Sequence, residues 1–349
     1  MTLKEIAQSL NVSPATVSLV MNGKPGVGAD TRSRVLQMLR DQGYEAKPFS
    51  APVPPTASRQ KSIRFFKYTS NGYLVHGNDG FVTSIIDAIE IEARRLGYAL
   101  VMTSCQETML DEVFAMIREN PLDGMILIGT EFMPQHYHYL DNLNVPVIAV
   151  DNYMHYCSID SVSMNNRDTV YTALSFLYSL GHRQIGYLQS RFQTPNFMER
   201  YEAYRCSLEQ LGISFSTEFI YHVGATVESS LEDMNELLRQ GRKFPTALFA
   251  DNDTIAIGCI HALERNGLQI PGDISVIGFD DIPSCKIIEP PLTTMRSSPE
   301  YLGFNAVRQL HARINNPNLP VTKIQCNGEL ICRKSTQKRP DGGSQQRTR

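Results

Sequence analysis

The 349-residue chain carries 33 Lys and Arg against 36 Asp and Glu, is 42% hydrophobic and 20% charged, and so has the composition of an ordinary globular protein with room for two or three domains. No apolar run approaches the roughly 20 residues that cross a bilayer, and Met1 leads into TLKEIAQSL with neither a basic nor an apolar leader region, so a cytoplasmic protein is expected. Seven scattered cysteines, none at C-x-x-C spacing, argue against a disulfide framework and for small, reduced, buried thiols.

Charge is unevenly spread. Residues 1–60 hold seven Lys/Arg and four Asp/Glu (net +3), leaving 26 and 32 (net −6) for the remainder. A basic head on an acidic body suits contact with phosphates, although so small an excess also serves merely to solvate a surface.

In chain order, Thr2-x-x-Glu5 has the form of a capping box, and Ile6, Ala7 and Leu10 give a first helix its apolar stripe. After the tight LNV, Ser13 reads as an N-cap and Pro14 as a first helical residue, where a missing N–H costs nothing. Val17, Val20 and Met21 share the inner face of this second helix. A third runs from about Asp30 to Gln42, with Val35, Met38 and Leu39 inward and Gly43 at its end. Two short helices joined by a tight turn and backed by a third make a helix-turn-helix module over residues 1–46. KPFSAPVPPTASRQK, residues 47–61, holds four prolines and reads as a stiffened linker.

From residue 62 apolar runs alternate with helical spacing: IRFF, YALVM, GMILIG and VPVIAV, then QIGYLQ, TALFA and ISVIGF. Helices close on Gly97, Gly181, Gly212, Gly241 and Gly267. Repeated strand–helix–strand units of this kind predict parallel sheets covered on both faces. The expected fold is a small all-α helix-turn-helix head plus an α/β core, 62–335, of two doubly wound parallel-sheet subdomains. The N-subdomain is placed at about 62–161 and 293–320, the C-subdomain at about 162–292 and 321–335, and 336–349 reads as a disordered polar tail. The crevice beyond the strands' carboxyl ends is the expected ligand site.

TLKEIAQSLNVSPATVSLVMNGKPGVGADTRSRVLQMLRDQGYEAKP resembles the DNA-binding module of the lactose-repressor (LacI) family. LSFLYSLGHRQIGYL, ERYEAYRCSL, PTALFADNDTIAIG, IPGDISVIGFDDIPSCKIIEPPLTTM and ELICRKST resemble, in order, segments of that family's periplasmic-binding-protein-like core. The resemblance implies a homodimer that reads a near-palindromic double-stranded operator, with the second helix in the major groove. Its implied DNA-contacting set is Thr2, Ser13, Pro14, Ala15, Thr16, Ser18, Leu19 and Asn22. Thr16 and Ser18 would hold phosphates, while Pro14, Ala15 and Leu19 stand at base-reading positions. Leu19 replaces the Arg or His of some members, so no bidentate guanine contact comes from that position; apolar contact of Ala15 or Leu19 with thymine methyls is what remains. The linker departs as well, since EAKPFSAPVPPTAS has no leucine to wedge into a minor groove and its prolines oppose a hinge helix.

For the core, the resemblance and the crevice rule point to Asp151 after VPVIAV, Asp280 after ISVIGF, Asn252 after TALFAD, and Arg200 in ERYEAY. Two carboxylates, an amide and a guanidinium suit a polyhydroxylated small-molecule effector, a sugar. Each also has a local alternative: Asp280 capping a turn, Asn252 capping a helix, Arg200 as a surface cation, Asp151 bonded only to nearby backbone. Phe81 reads either as a sugar-stacking ring or as core; Tyr68 and Tyr73 are weaker aromatics. SNGYLVHGNDG is a polar, glycine-rich stretch suited to a lid.

No G-x-S-x-G elbow, Walker loop or H-E-x-x-H helix occurs. His136-Tyr137-His138 lacks a carboxylate or thiol cluster and reads as a solvated helix face; adjacent Asp280 and Asp281 diverge and face no nucleophile. Neither enzyme activity, metal nor cofactor is expected. Two functions stand: an effector-controlled repressor, and a small-molecule (sugar) binding protein without a DNA-regulatory role. The head and the lack of a leader favour the first.

Overall fold

The computed structural model describes residues 1–24, 26–44, 60–70, 72, 80–141 and 143–339. It divides into two compact units, Met1–Gln60 and Lys61–Arg349. The linker expected over 47–61, except for its last two residues, most of the SNGYLVHGNDG stretch including Tyr73, and 340–349 lie outside the described residues.

In the first unit, α1 (Leu3–Ser9), α2 (Pro14–Met21) and α3 (Ala29–Asp41) follow the sequence pattern. Thr2 caps α1 in a reciprocal box with Glu5, and Ser13 caps α2 by accepting the Thr16 N–H at 3.1 Å. Ile6, Ala7, Val17, Val20, Val35 and Leu39 form the buried centre of the three helices.

The second unit holds two six-stranded sheets. The N-lobe sheet has order β11-β5-β4-β3-β1-β2, all parallel, from β1 (Ser62–Thr69), β2 (Ala99–Gln106), β3 (Gly124–Ile128), β4 (Val147–Val150), β5 (Asp160–Met164) and β11 (Lys323–Cys326). The C-lobe sheet has order β12-β10-β9-β8-β6-β7: β6 (Ile185–Ser190), β7 (Ile220–Val223), β8 (Ala247–Ala250), β9 (Ser275–Asp280), β10 (Thr293–Arg296) and β12 (Glu329–Ile331). Among the described strands only β12 runs antiparallel, pairing Met295 with Leu330. The helices are α4 (Phe81–Arg95), α5 (Leu110–Glu119), α6 (Asn166–Ser179), α7 (Pro195–Gln210), α8 (Val227–Arg239), α9 (Asp253–Arg265) and α10 (Pro299–Asn315). Central strands β3, β6, β8 and β9 are buried along their whole length, as parallel strands covered on both faces must be.

The chain passes between lobes after β5, after β10 and after β11. These points correct the expected boundaries. Residues 293–296 join the C-lobe sheet through β9, whereas 323–326 and 162–164 join the N-lobe sheet through the β11–β5 and β5–β4 pairs. No apolar run marks β5, β10 or β11 in the sequence, and their partners lie far apart in the chain, so local periodicity disclosed neither these strands nor their sheet. The crossings bond to one another: Asn165 Nδ2 donates to Asn327 Oδ1 at 2.8 Å, and Gly328 N to Thr169 Oγ1 at 2.9 Å. The start of the expected tail is also ordered against the C-lobe, with Gln337 N donating to Ser275 Oγ at 3.1 Å and Arg339 N to Leu180 O at 2.8 Å.

Helix α10 returns to the N-lobe and lies against α4. Gly303 makes that approach: a Cβ there would stand 2.6 Å from Ile85 O and 2.8 Å from Ala88 Cβ. Gly303→Ala should therefore destabilise the core by about 1–3 kcal/mol, the usual cost of overpacking, read as a lowered denaturation midpoint; an unchanged midpoint would show that the helices part freely.

Candidate effector crevice and DNA-reading helix

Phe81, Asp151, Arg200, Asn252 and Asp280 all line one crevice, together with Thr130, Thr194, Asn196 and Phe197. Its atom-free space is about 300 Å³, open in part to solvent.

Each member arrives by the end of a strand or the start of a helix. Asp151 follows β4 and takes φ +61°, and Asp280 ends β9 with φ +111°. Both are positive-φ conformations that side chains other than glycine's adopt at a cost, the kind of strain that concentrates where a side chain must be aimed. Phe81 opens α4 behind the αL residue Gly80. Asn252 caps α9 by accepting the Ile255 N–H at 3.0 Å, as its local alternative expected, and still lines the crevice. Its amide N–H groups have no partner among the described residues.

Arg200 is no surface cation. It is 4% exposed; its Nε donates to Asn166 Oδ1 at 3.0 Å and its NH1 to the carbonyl of Asp251. Its guanidinium lies 3.6 Å from the centroid of the Phe279 ring, and NH2 stands 3.6 Å from Asp280 Oδ1. Asp151 is likewise held by side chains as well as backbone. Thr130 Oγ1 donates to its Oδ2 at 2.5 Å, and Asn196 Nδ2 to its Oδ1 and its carbonyl at 3.0 Å. Burial raises the Asp151 carboxyl to about 7, a rise that the Thr130 bond and Arg200 oppose and Asp280 reinforces.

Asn166, Thr130, Thr194, Asn196, Phe197, Asp251 and Asp253 escaped the sequence reading. Thr130 was within reach of the crevice rule, since it follows GMILIG, and Asp251 and Asp253 flank Asn252 in the same ADND run. Asp251 accepts from Tyr187 OH and from Ser190 N, the latter at 2.6 Å. Asp253 accepts from Thr294 Oγ1 at 2.6 Å and Ile282 N at 3.0 Å. Burial pushes both carboxyls up to about 7.

Two expectations are corrected. Tyr68 is fully buried, edge-on to Phe132 with centroids 5.1 Å apart, so its ring belongs to the N-lobe core. His136 is not on a solvated helix face; it packs against Tyr68 and Phe132 and stands 3.2 Å from Glu107. Among the described residues no group of three or more His, Cys, Asp or Glu could hold a metal ion.

In the first unit, Thr2, Ser13, Pro14, Ala15, Ser18 and Asn22 are exposed, and Thr16 and Leu19 half-buried. Ser13 Oγ and Thr16 Oγ1 share a hydrogen bond of 2.8 Å, and Asn22 Nδ2 donates to Ser18 O at 2.9 Å. The outward face of α2 is thus small hydroxyl, amide and apolar groups that already satisfy one another or their own helix.

Comparison with known proteins bears on both units. Residues 2–46 match the family model described as bacterial regulatory proteins, lacI family, and residues 174–336 that of a periplasmic binding protein-like domain. The chain is 29% identical over 342 residues to the HTH-type transcriptional repressor PurR of Pasteurella multocida (97% of this chain, 99% of that one). It is 29% identical over 339 residues to PurR of Actinobacillus pleuropneumoniae (96% and 98%). Among solved structures it resembles the lac repressor dimer bound to operator and the anti-inducer ONPF (TM-score 0.71, 23% identity, 97% and 99% covered). A transcriptional regulator CelR–cellobiose complex has TM-score 0.70 at 22% identity (96% and 99%), and an Enterococcus faecium LacI-family regulator with bound ribose 0.67 at 23% (80% and 100%).

The three raised carboxyls set a pH dependence. Folded, Asp151, Asp251 and Asp253 keep their protons to about pH 7; unfolded, they release them near the ordinary value of about 3.9. The folded chain therefore binds more protons between these values, and stability falls as pH rises through that window. The melting temperature should drop from pH 5 to pH 8, and Asp151→Asn should flatten the drop. A melting temperature that rises over this range would contradict the assignment.

Proposed function

We infer from the LacI family of bacterial regulatory proteins, to which the chain belongs, that it is a transcriptional repressor whose hold on operator DNA is set by a small, polyhydroxylated effector in the crevice of its core. The chain is a DNA-binding regulator under small-molecule control. Its repressor action, the effector's class, the contact residues, a homodimeric state, a near-palindromic operator and a cytoplasmic setting beside the chromosome are our proposals. The observation that carries the reading is the convergence of Phe81, Asp151, Arg200, Asn252 and Asp280 from both lobes on one small crevice, in a chain that also carries a capped helix-turn-helix.

Hydroxyl groups of a sugar would donate to the Asp151 and Asp280 carboxyls and accept from Asn252 and Arg200, with Phe81 and Phe197 against the ring's apolar face. No described helix is long and apolar enough to cross a membrane. A binding protein without a DNA role would have no use for residues 2–46.

Bound ligand alters operator affinity only insofar as ligand and DNA prefer different arrangements of the two lobes. We propose that effector binding favours the arrangement that releases DNA. On the operator, Thr16 and Ser18 would hold phosphates while Ala15 and Leu19 meet thymine methyls. A shallow apolar groove lined by Val227, Ile257, Ile282, Ile287 and Ile288, with Ile287 82% exposed, is our candidate for the face that meets a second copy. The solved lac repressor structure is a dimer on operator, which supports the pairing of two copies.

Four experiments test these readings. In a thermal-shift panel of ribose, cellobiose, other neutral sugars and nucleobases, binders should raise the melting point by mass action. Asp280→Ala should weaken them about tenfold or more, since a hydrogen bond to a charged group is worth about 1.5–3 kcal/mol; unchanged affinity by calorimetry would remove Asp280 from the site. Thr16→Ala should weaken all duplexes from an operator selection alike and lower the salt slope by about 1, whereas a loss confined to particular sequences would contradict a phosphate contact. Ile287→Asp should yield monomers in sedimentation and cost about 100-fold in operator binding through lost avidity; an intact dimer would place the interface elsewhere.

A further inference from the structure

At the mouth of the crevice, outside the ligand-lining set, His155 Nε2 stands 2.8 Å from Glu199 Oε1. His155 belongs to the loop between β4 and β5 in the N-lobe; Glu199 lies on α7 in the C-lobe. The pair therefore spans the cleft. Glu199 is not a loose surface acid. Its side chain is 17% exposed, and its other oxygen accepts from Asn166 Nδ2 at 2.8 Å. Asn166, fully buried, is the first residue after the β5 crossing, and so sits at the hinge. The same amide donates to Asn196 Oδ1 at 3.0 Å, and its oxygen accepts Arg200 Nε at 3.0 Å. One side chain at the hinge thus touches the rim pair, the crevice guanidinium and the amide that holds Asp151.

We propose that His155 and Glu199 form a latch across the cleft that holds the lobes together before any effector arrives, and that Asn166 is the positioning residue tying this latch to Arg200. The latch stabilises the closed core by a hydrogen bond anchored at one end through a buried amide, and it is reversible because the other end, His155, is half exposed. The groups facing His155 are Glu199 and the rings of Tyr153 and Tyr156, at 4.6 and 6.0 Å, with Lys323 Nζ 5.6 Å from the Tyr153 centroid. Among the described residues, Glu199 is the one carboxylate that contacts it. Closure before binding leaves the crevice side chains from both lobes already assembled, so losing the latch lowers the fraction of competent molecules and the apparent affinity by the same factor. The proposal deepens the effector-crevice reading, but its test uses no ligand and fails or succeeds apart from it.

Hydrogen exchange of the full-length, ligand-free chain, followed by mass spectrometry, reads lobe opening directly. In His155→Ala and Glu199→Gln, peptides covering 128–133 and 190–198 on the two crevice walls should exchange about threefold faster or more, while peptides within 256–265, in the body of α9 away from the crevice, keep their wild-type rate. The double variant should be no faster than either single one, and His155→Gln, which retains a donor, should restore part of the protection. Unchanged exchange at the crevice walls, or additive effects in the double variant, would overturn the latch. Acceleration spread equally to 256–265 would show general loosening and overturn it too.

Discussion

One buried cation organises the core. Arg200 is taken out of water in the interior, a placement that costs several kcal/mol unless its donors are satisfied. The fold supplies the compensation from every side: the Phe279 face, the Asn166 oxygen, the Asp251 carbonyl and the Asp280 carboxylate. These groups come from β9, the start of α6 and the segment after β8, all of which must reach the same point. The parallel C-lobe sheet makes that convergence automatic, because its strands end together on one edge. Only beyond that edge can one guanidinium meet all of them. The strained backbone at Asp280 then makes physical sense, since a residue at the end of a strand must be turned out of line to face Arg200.

The same geometry explains what the sequence disclosed. Asp151, Asn252 and Asp280 could be found because each follows an apolar run, and the ends of parallel strands in one sheet face one way. Arg200 could be found only through the likeness of its surrounding segment, since nothing in ERYEAY marks its burial. Asn166 and Asn196 carry no local signal at all: an asparagine at a helix start reads as a cap, and their bonds cross thirty or more residues. Tyr68 and His136 were misplaced for a related reason. Aromatic and imidazole rings serve equally in a core or at a rim, and contact with Phe132 decides which. The lobe boundaries went astray by a few residues because β10 and β11 are short and choose partners in sheets that sequence does not show.

The head was more fully legible because its determinants are local. A capping box, a Ser-Pro start and three apolar stripes each act within a few residues, and all are present in the structure. What α2 offers to DNA is a different matter. It carries no side chain that could fork onto a guanine from the position of Leu19, and its hydroxyls are already paired, Ser13 with Thr16. Such a face is thrifty in base-specific hydrogen bonds. A single bidentate pair is worth about 1–3 kcal/mol of discrimination; methyl contacts are worth less, and phosphate contacts give affinity without choice.

On the proposed reading, discrimination is drawn from elsewhere, and a second head on one DNA is the available multiplier. Two weakly selective heads held together multiply their preferences, and effective concentration raises affinity without a new contact. A regulator built on these terms depends more on the geometry of its core than one whose reading helix is strongly selective, because any change in that geometry weakens both heads at once. The requirement favours a core with two discrete arrangements over one that deforms gradually, and close-packed interiors provide this. A cleft bridged by Asp151–Asn196 within and His155–Glu199 at the rim is either joined or broken. On the proposed reading, the sparing base-specific bonding of α2 and the hydrogen-bonded closure of the core are two sides of one physical solution.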